Sequence, residues 1–343
     1  MNHSITVIIP TFKRPHLLKK AIESVLSQTY PHFHVLVLDN CSGDETETIT
    51  KEFQENDARV KYHCHSQNIG MISNYKYGYD QITTSYFCFL SDDDYYFPWF
   101  LETAISDLQQ YPNAAFSACA VQIIKPPNEI LFNTSFFLWN KTGYFEATQG
   151  FLELTTPFFK PFTPTCTLFN QRILSGVSPN WDEKSQLFWD PDFLLQITSR
   201  FPYVINEKIC GVFTAHDQGY SSGFYVKLHN SHEHLKIYLK ASRSLVLRLY
   251  NLPIPKLIRN NAIKTVSQSL KGNMHAHIRN YFMNAQLHDA CYTFYLLIKY
   301  LGFDKQTLKV FLKSFNDYSI TRIKKTLTTF LKKTTTHRNN FIL

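Results

Sequence analysis

The sequence is poor in glycine where nucleotide-binding chains concentrate it. Only 11 of its 343 residues are glycine. No GxGxxG follows the first apolar run, which removes the usual dinucleotide fingerprint, and no GxxxxGKS/T occurs, which removes the P-loop. The seven cysteines (41, 64, 88, 119, 166, 210, 291) are odd in number and form no CxxC pair. That pattern argues against a zinc site or a disulfide framework and points to a reducing, cytoplasmic setting. No apolar run approaches the roughly 18 residues of a membrane span. The amino terminus lacks a basic stretch followed by an apolar one, so no secretory leader is expected. Acidic residues are scarce only in the last third. Residues 1–224 carry 15 Lys and Arg against 23 Asp and Glu, whereas 225–343 carry 20 against 4. Two regions with different partners are expected from such a division.

What is present is a regular alternation. Ser4–Pro10, Phe33–Asp39, Val60–His65, Tyr86–Leu90 and Ala114–Ile124 read as buried strands, apolar and rich in β-branched and aromatic residues. Between them lie amphipathic stretches: His16–Gln28 with Pro15 in its first turn, a helix capped by Asp44 and Glu47 that reaches about Asn56, one from Asn68 to about Ile82, and one from Pro98 through Gln110. Nearly all-apolar strands alternating with helices predict an α/β fold with a doubly wound, mostly parallel sheet. Ligands of such sheets bind beyond the carboxyl ends of the strands. The polar residues fall at those ends: Pro10, Thr11 and Arg14; Asp39, Asn40 and Ser42; Asn68; and Ser91-Asp92-Asp93-Asp94. Three adjacent carboxylates repel one another unless a cation is shared among them. Hard divalent ions such as Mg2+ and Mn2+ take oxygen ligands and often bind substrate phosphates as well. A nucleotide crevice without a glycine-rich loop needs such an ion.

Four stretches in order and spacing, Val7–Arg14, Val37–Thr46, Asn68-Ile69-Gly70 and Leu90–Asp94, resemble the family 2 glycosyltransferases of the GT-A (Rossmann-like) fold. The resemblance covers residues 4–120, and more loosely reaches 222. It implies that Pro10, Thr11 and Arg14 line the nucleotide pocket, that Asp39 accepts a hydrogen bond from uracil, and that Asn68 and Gly70 border base and ribose. Alignment on Leu90 and Pro98 sets Ser91 where the family's metal motif has its first aspartate and Asp93 at its second. Asp93 is then the first choice as Mn2+ or Mg2+ ligand, with Asp94 beside it. Ser91 and Asp92 fall on the nucleotide side, and the division of labour among the three aspartates stays open. Phe188–Ile197 resembles the segment that carries the general base, with Asp190 the first candidate and Asp192 the second. Val212–Ser221 resembles the closing motif, in which His216 would reach metal or diphosphate; by its composition, the loop holding Gly219, Ser221, Ser222 and Gly223 is expected to order over bound donor as a lid.

The expected organisation is a catalytic domain over 1–224, with a nucleotide-sugar half (1–124) and an acceptor half (125–224), and a basic helical extension over 225–343. Residues 125–165 are expected to be irregular, with Pro126-Pro127, Phe136-Phe137, Trp139 and Phe158-Phe159 as candidate cleft aromatics. Apolar groups at helical spacing fill the extension, from Leu235 and Tyr238 to Phe330 and Leu331. Its basic faces fit plain solvation or peripheral contact with an anionic membrane; nucleic acid is not expected, since no recognised motif for it appears. The expected activity is inverting, metal-dependent transfer from a nucleotide sugar, as the resemblance implies a UDP-sugar, to a glycan or lipid-linked sugar in bacterial surface-polysaccharide or lipopolysaccharide assembly. The alternatives are a catalytically silent nucleotide-sugar or glycan binder, and a nucleotidyltransferase.

Overall fold

Both faces of β1 (Ile5–Thr11) are covered, which is why it carries no polar alternation. In the computed structural model, which describes residues 4–125, 129–133, 142–155, 164–177, 179, 181, 187–215, 231–284, 286–302 and 304–319, Val7 and Ile9 point into one apolar cluster and Ile8 into the other. The chain continues as α1 (Pro15–Leu26), β2 (Phe33–Asp39), α2 (Thr46–Asn56), β3 (Val60–Cys64), α3 (Met71–Asp80) and β4 (Tyr86–Phe89). A two-residue strand, β5 (Tyr95–Tyr96), precedes α4 (Phe100–Gln110). Then come β6 (Phe116–Lys125), β7 (Glu129–Asn133), β8 (Gly143–Phe145), α5 (Ala147–Thr155), β9 (Thr167–Asn170), a 3-10 turn (Gln171–Ser175), α6 (Trp189–Thr198) and β10 (Tyr203–Thr214). The extension contributes α7 (His232–Leu249), α8 (Lys256–Met283), α9 (Leu287–Leu301) and a helical stretch over 305–319.

The ten strands among the described residues form one sheet, with central order β3-β2-β1-β4-β9-β6-β10-β5. β1, β2, β3, β4, β6 and β10 run in one direction, while β5, β7, β8 and β9 oppose them. The doubly wound, mostly parallel sheet is therefore present. β9 sits antiparallel between β4 and β6 and joins the two halves. α1 and α4 cover one face, and α3, α5 and α6 the other. The apolar cluster on that second face continues into α7, α8 and α9, with Phe188 5.6 Å from Tyr238 between ring centroids.

Several boundaries differ from the sequence reading, for local reasons. The expected helix from Pro98 begins at Phe100, because the chain first pairs Tyr95 and Tyr96 with β10. Asp44 does accept from the Thr46 backbone N–H and hydroxyl, but Glu47 pairs with Lys51 at 2.5 Å instead of completing a capping box. α5 was not foreseen. Its Gly150 weakens helix propensity, yet a Cβ there would lie 2.2 Å from Tyr203 Cε1, and Tyr203 donates to the Gly150 carbonyl at 2.9 Å. The glycine is thus needed for the ring to close against the helix. The candidate cleft aromatics Phe136, Phe137, Trp139, Phe158 and Phe159, the Pro126-Pro127 pair, and the tail group from Ile323 to Leu331 lie outside the described residues.

Candidate active site

Because β1 lies between β2 and β4, three strand ends meet in one crevice. Thr11 is level with Asp39 in the β1–β2 register, and the Asn40 N–H donates to the Thr11 carbonyl at 3.0 Å. On the other side Leu90 N–H donates to Ile8 O at 2.9 Å, so Ser91–Asp94 begins where β1 ends. That run is a turn, closed by Asp94 N–H on the Ser91 carbonyl at 3.1 Å.

Its three carboxylates are held differently. Asp92 is buried; one oxygen accepts from Thr11 Oγ1 at 2.7 Å and the other from Arg14 Nη1 at 3.1 Å. The same Arg14 nitrogen reaches Asp93 Oδ2 at 2.9 Å. Asp94, also buried, accepts from Thr165 Oγ1 at 2.7 Å and from the Thr214 N–H at 2.8 Å, which ties the turn to the ends of two further elements. Burial pushes the Asp92 carboxyl up to about 6, with Arg14 opposing the rise. Burial, reinforced by Asp93, raises Asp94 as well. Asp93 is the most solvent-accessible of the three. As a donor set these oxygens suit a hard cation. Among the described residues, however, no three His, Cys, Asp or Glu side chains gather into a preformed cage.

The β2 end is a network. Asp39 is buried and accepts from the Ser42 N–H (2.9 Å), Ser42 Oγ (2.6 Å) and Tyr62 OH (2.7 Å). Asn40 donates to Asn68 Oδ1 at 2.9 Å and accepts from the Ile69 N–H at 2.8 Å. Asn68 Oδ1 also receives the Gly70 N–H at 2.9 Å, and Gly70 takes φ 89°, a left-handed value that favours glycine, just before α3. Asn40, one of the polar strand-end residues, thus clasps Asn68, and through it Gly70, to the end of β2 beside Asp39.

Asp190 lies in the first turn of α6, partly buried, where burial pushes its carboxyl up to about 7 against a backbone hydrogen bond that lowers it. The neighbouring Trp189 ring is 5.0 Å from Tyr75, and Tyr75 OH is 3.4 Å from Ser91 Oγ. Tyr75, which the sequence reading passed over, thus connects the Asp190 turn to the acidic turn. Asp192 is buried and receives Arg248 Nε at 2.7 Å from α7. Nothing local in the sequence marks Arg248 or Tyr62 as members of the site, whereas Thr214 lies in the stretch Val212–Ser221 that resembles the closing motif. His216 and the glycine-serine loop after it lie outside the described residues.

A mostly parallel α/β sheet with an acidic turn at its strand ends is a fold of the GT-A type. The profile of the family "Glycosyl transferase family 2" matches residues 6–177, half of the chain, and the chain belongs to that family. Similar curated proteins include the GalNAc(5)-diNAcBac-PP-undecaprenol beta-1,3-glucosyltransferase of Campylobacter jejuni, 36% identical over 115 residues (33% of this chain and 36% of that one). Another is the putative teichuronic acid biosynthesis glycosyltransferase TuaG of Bacillus subtilis, 27% identical over 90 residues (26% and 36%). The chain thus spans about a third of the length of these relatives. Among solved structures, S. aureus TarS 1–349 in complex with UDP-GlcNAc superposes with a TM-score of 0.66 at 13% identity, covering 94% of this chain and 92% of that one. This likeness is one of fold.

Proposed function

We propose that the enzyme transfers a sugar, with inversion, from a uridine diphosphate sugar to a hydroxyl of a growing glycan, assisted by a divalent metal. The observation that carries this reading is the convergence of Thr11, Arg14, Asp92 and Asp93 in one crevice, linked through Tyr75 to the turn that bears Asp190. Inverting transfer requires one carboxylate to take the proton of the acceptor hydroxyl as it attacks the anomeric carbon. A carboxyl whose pKa has been raised to about 7 serves as a base near neutral pH. Asp190 has that role, and Asp192, held by Arg248, positions the turn. Pro10, Thr11 and Arg14 line the diphosphate side. Asp39, oriented by Ser42 and Tyr62, and the Asn68–Gly70 clasp face the base and ribose. Asp93 is the ligand for Mn2+ or Mg2+, while Asp94 is a structural tie. When bound, the ion supplies Lewis acidity to the departing diphosphate. His216 joins it in the reading drawn from the family resemblance.

The TarS complex with UDP-GlcNAc supports the choice of donor. The names of the Campylobacter and Bacillus relatives support a lipid-linked or surface-polysaccharide acceptor. The extension gives such an acceptor a place to dock. No described helix is long and apolar enough to cross a membrane. α7, however, exposes Lys236, Lys240, Arg243, Leu247 and Tyr250 at helical spacing, and Leu257 (74% exposed) follows at the start of α8. Residues 234–288 contain no Asp or Glu. Contact of this basic and apolar seam with anionic lipid brings a membrane-borne acceptor close to Asp192, through Arg248 on the same helix. Salt-sensitive flotation with anionic but not neutral vesicles is expected; absence of binding at low salt would remove the membrane part of the proposal.

Thermal denaturation with a panel of nucleoside diphosphates, each with and without Mn2+, tests the core. Uridine diphosphate with Mn2+ should raise the midpoint, since a ligand that binds only the native state stabilises it. D190N should keep that shift and lose sugar transfer. No shift with any nucleotide, or undiminished transfer by D190N, would overturn the reading. A shift without turnover on any donor and acceptor pair would favour a binding protein.

A further inference from the structure

Arg14 stands on two of the carboxylates expected to face a metal. It is the last residue before α1, and its side chain is 27% exposed, against 6% for Asp92 and 15% for Asp93. A single nitrogen, Nη1, bridges Asp92 Oδ1 and Asp93 Oδ2. Asp92 is fixed from behind by Thr11, and Asp94 is engaged by Thr165 and Thr214, so neither is placed to turn toward a new ion without breaking a protein contact. Ser91 stands where the family pattern has its first aspartate, so that position offers a hydroxyl and no carboxylate. A divalent ion on Asp93 next to Asp92 would compete with the guanidinium for the same oxygens, because two cations cannot share them without strong repulsion. Arginine is always charged, long and flexible at its stem, and its fork of donors also suits phosphate oxygens.

We propose that Arg14 is an exchangeable internal cation: it neutralises Asp92 and Asp93 in the empty enzyme, excludes a divalent ion from them, and leaves them for the diphosphate when nucleotide and metal bind together. This rests on the transferase reading above, and it adds an order: metal does not load first. The role is one of positioning and gating. It distinguishes Arg14 from a residue that merely lines the pocket, whose removal would weaken nucleotide binding and leave metal binding alone.

The test is direct titration of Mn2+, followed by electron paramagnetic resonance of the free ion, on wild type, R14Q and R14K, without nucleotide and with uridine diphosphate. In wild type, nucleotide should tighten Mn2+ binding by roughly tenfold or more, the scale of a coupling between two sites. R14Q should bind Mn2+ without nucleotide at least roughly tenfold more tightly than wild type, and the gain from nucleotide should shrink correspondingly. R14K, which keeps the charge, should stay near wild type without nucleotide. D93N placed in the R14Q background should return Mn2+ binding to the weak level, which assigns the site, and circular dichroism of each variant checks folding. Equal or weaker Mn2+ binding by R14Q in the absence of nucleotide overturns the proposal, as does tighter binding that survives D93N. The arm without nucleotide does not depend on donor identity. Failure of uridine diphosphate to bind wild type would therefore count against the transferase reading and leave the Arg14 result to stand or fall separately.

Discussion

Arg248 Nε donates to Asp192 Oδ1 at 2.7 Å, across 56 positions of sequence, and joins the basic extension to the helix that carries the candidate base. The carboxylate side chain is 5% exposed and the guanidinium 31%. The extension is therefore tied by charge to the same turn that its apolar helices cover.

R248M should lower stability by about 2 kcal/mol, between the value of an exposed ion pair and that of a fully buried one. Urea unfolding would measure it. The double variant R248M/D192N should recover part of the loss, because the buried charge is then gone as well. Additive losses would show that the two residues do not act as a pair. Transfer should fall in R248M while the uridine diphosphate shift persists, since Arg248 donates to Asp192 on the helix that carries Asp190.

The Asp190 carboxyl gives opposite pH dependences for activity and stability. As a base it must be ionised, so kcat/KM should climb with pH and reach half its plateau near pH 7. The folded protein keeps this proton to a higher pH than the unfolded chain, whose value is the ordinary 3.8. Between the two values the unfolded state binds fewer protons, so this group's contribution to stability is present at low pH and lost as pH rises toward 7. D190N should flatten that part of the stability profile. A slope unchanged by D190N would place the raised carboxyl elsewhere.

Asp93 and Asp94 should separate in opposite ways. D94N presents an amide where the Thr214 N–H needs an acceptor or Thr165 needs one, and should cost about 1–3 kcal/mol of stability. D93N should change stability little and abolish the Mn2+-dependent part of the uridine diphosphate shift. A thermal melt of each, with and without ligand, reads both outcomes. Loss of the metal-dependent shift in D94N at unchanged stability would reverse the assignment.

Gly211 holds β5 in place by having no side chain. A Cβ there would lie 2.6 Å from Cys166 Sγ and 2.7 Å from the Tyr95 carbonyl. The second contact is with backbone and cannot be relieved by a rotamer change. Gly211→Ala should therefore destabilise by about 1–3 kcal/mol and shift the strand that follows the acidic turn. Weaker nucleotide binding in a still-folded G211A, measured by calorimetry, is the expected accompaniment.

The first four strands were legible because each is a short apolar run with a polar end, and period and punctuation carry that signal locally. The crevice followed from the same ends. The partners did not. Arg14 meets Asp92 and Asp93 across 78 and 79 positions, and Asp94 meets the Thr214 N–H across 120. Those meetings depend on β1 lying beside β4 and on β10 returning past β5, which no local pattern encodes. β5 is two residues long, too short for any period, and it moved the expected start of α4. α5 contains a glycine and two threonines, so its propensity argues against the helix that packing imposes. Asp39 read as a base-binding residue. That it is oriented by Tyr62 follows from β3 pairing with β2, where Asp39 and Cys64 are level.

β9 has a consequence for how the chain is made. β4 ends at Phe89 and β6 begins at Phe116, yet the free edge of β4 and the Phe116–Ala118 stretch of β6 are both paired by residues 167–170, while β7 takes the rest of that β6 edge. During synthesis the first half of the sheet must therefore wait with an open, apolar edge until β9 arrives, and β6 waits longer still for β10 at Tyr203–Thr214. Such edges recruit other chains. Soluble yield should rise sharply between fragments that stop before Thr167 and fragments that pass Thr214, and equal yields would show that the edge is harmless. The strand that completes the sheet would then also set the interval in which a nascent copy depends on chaperones.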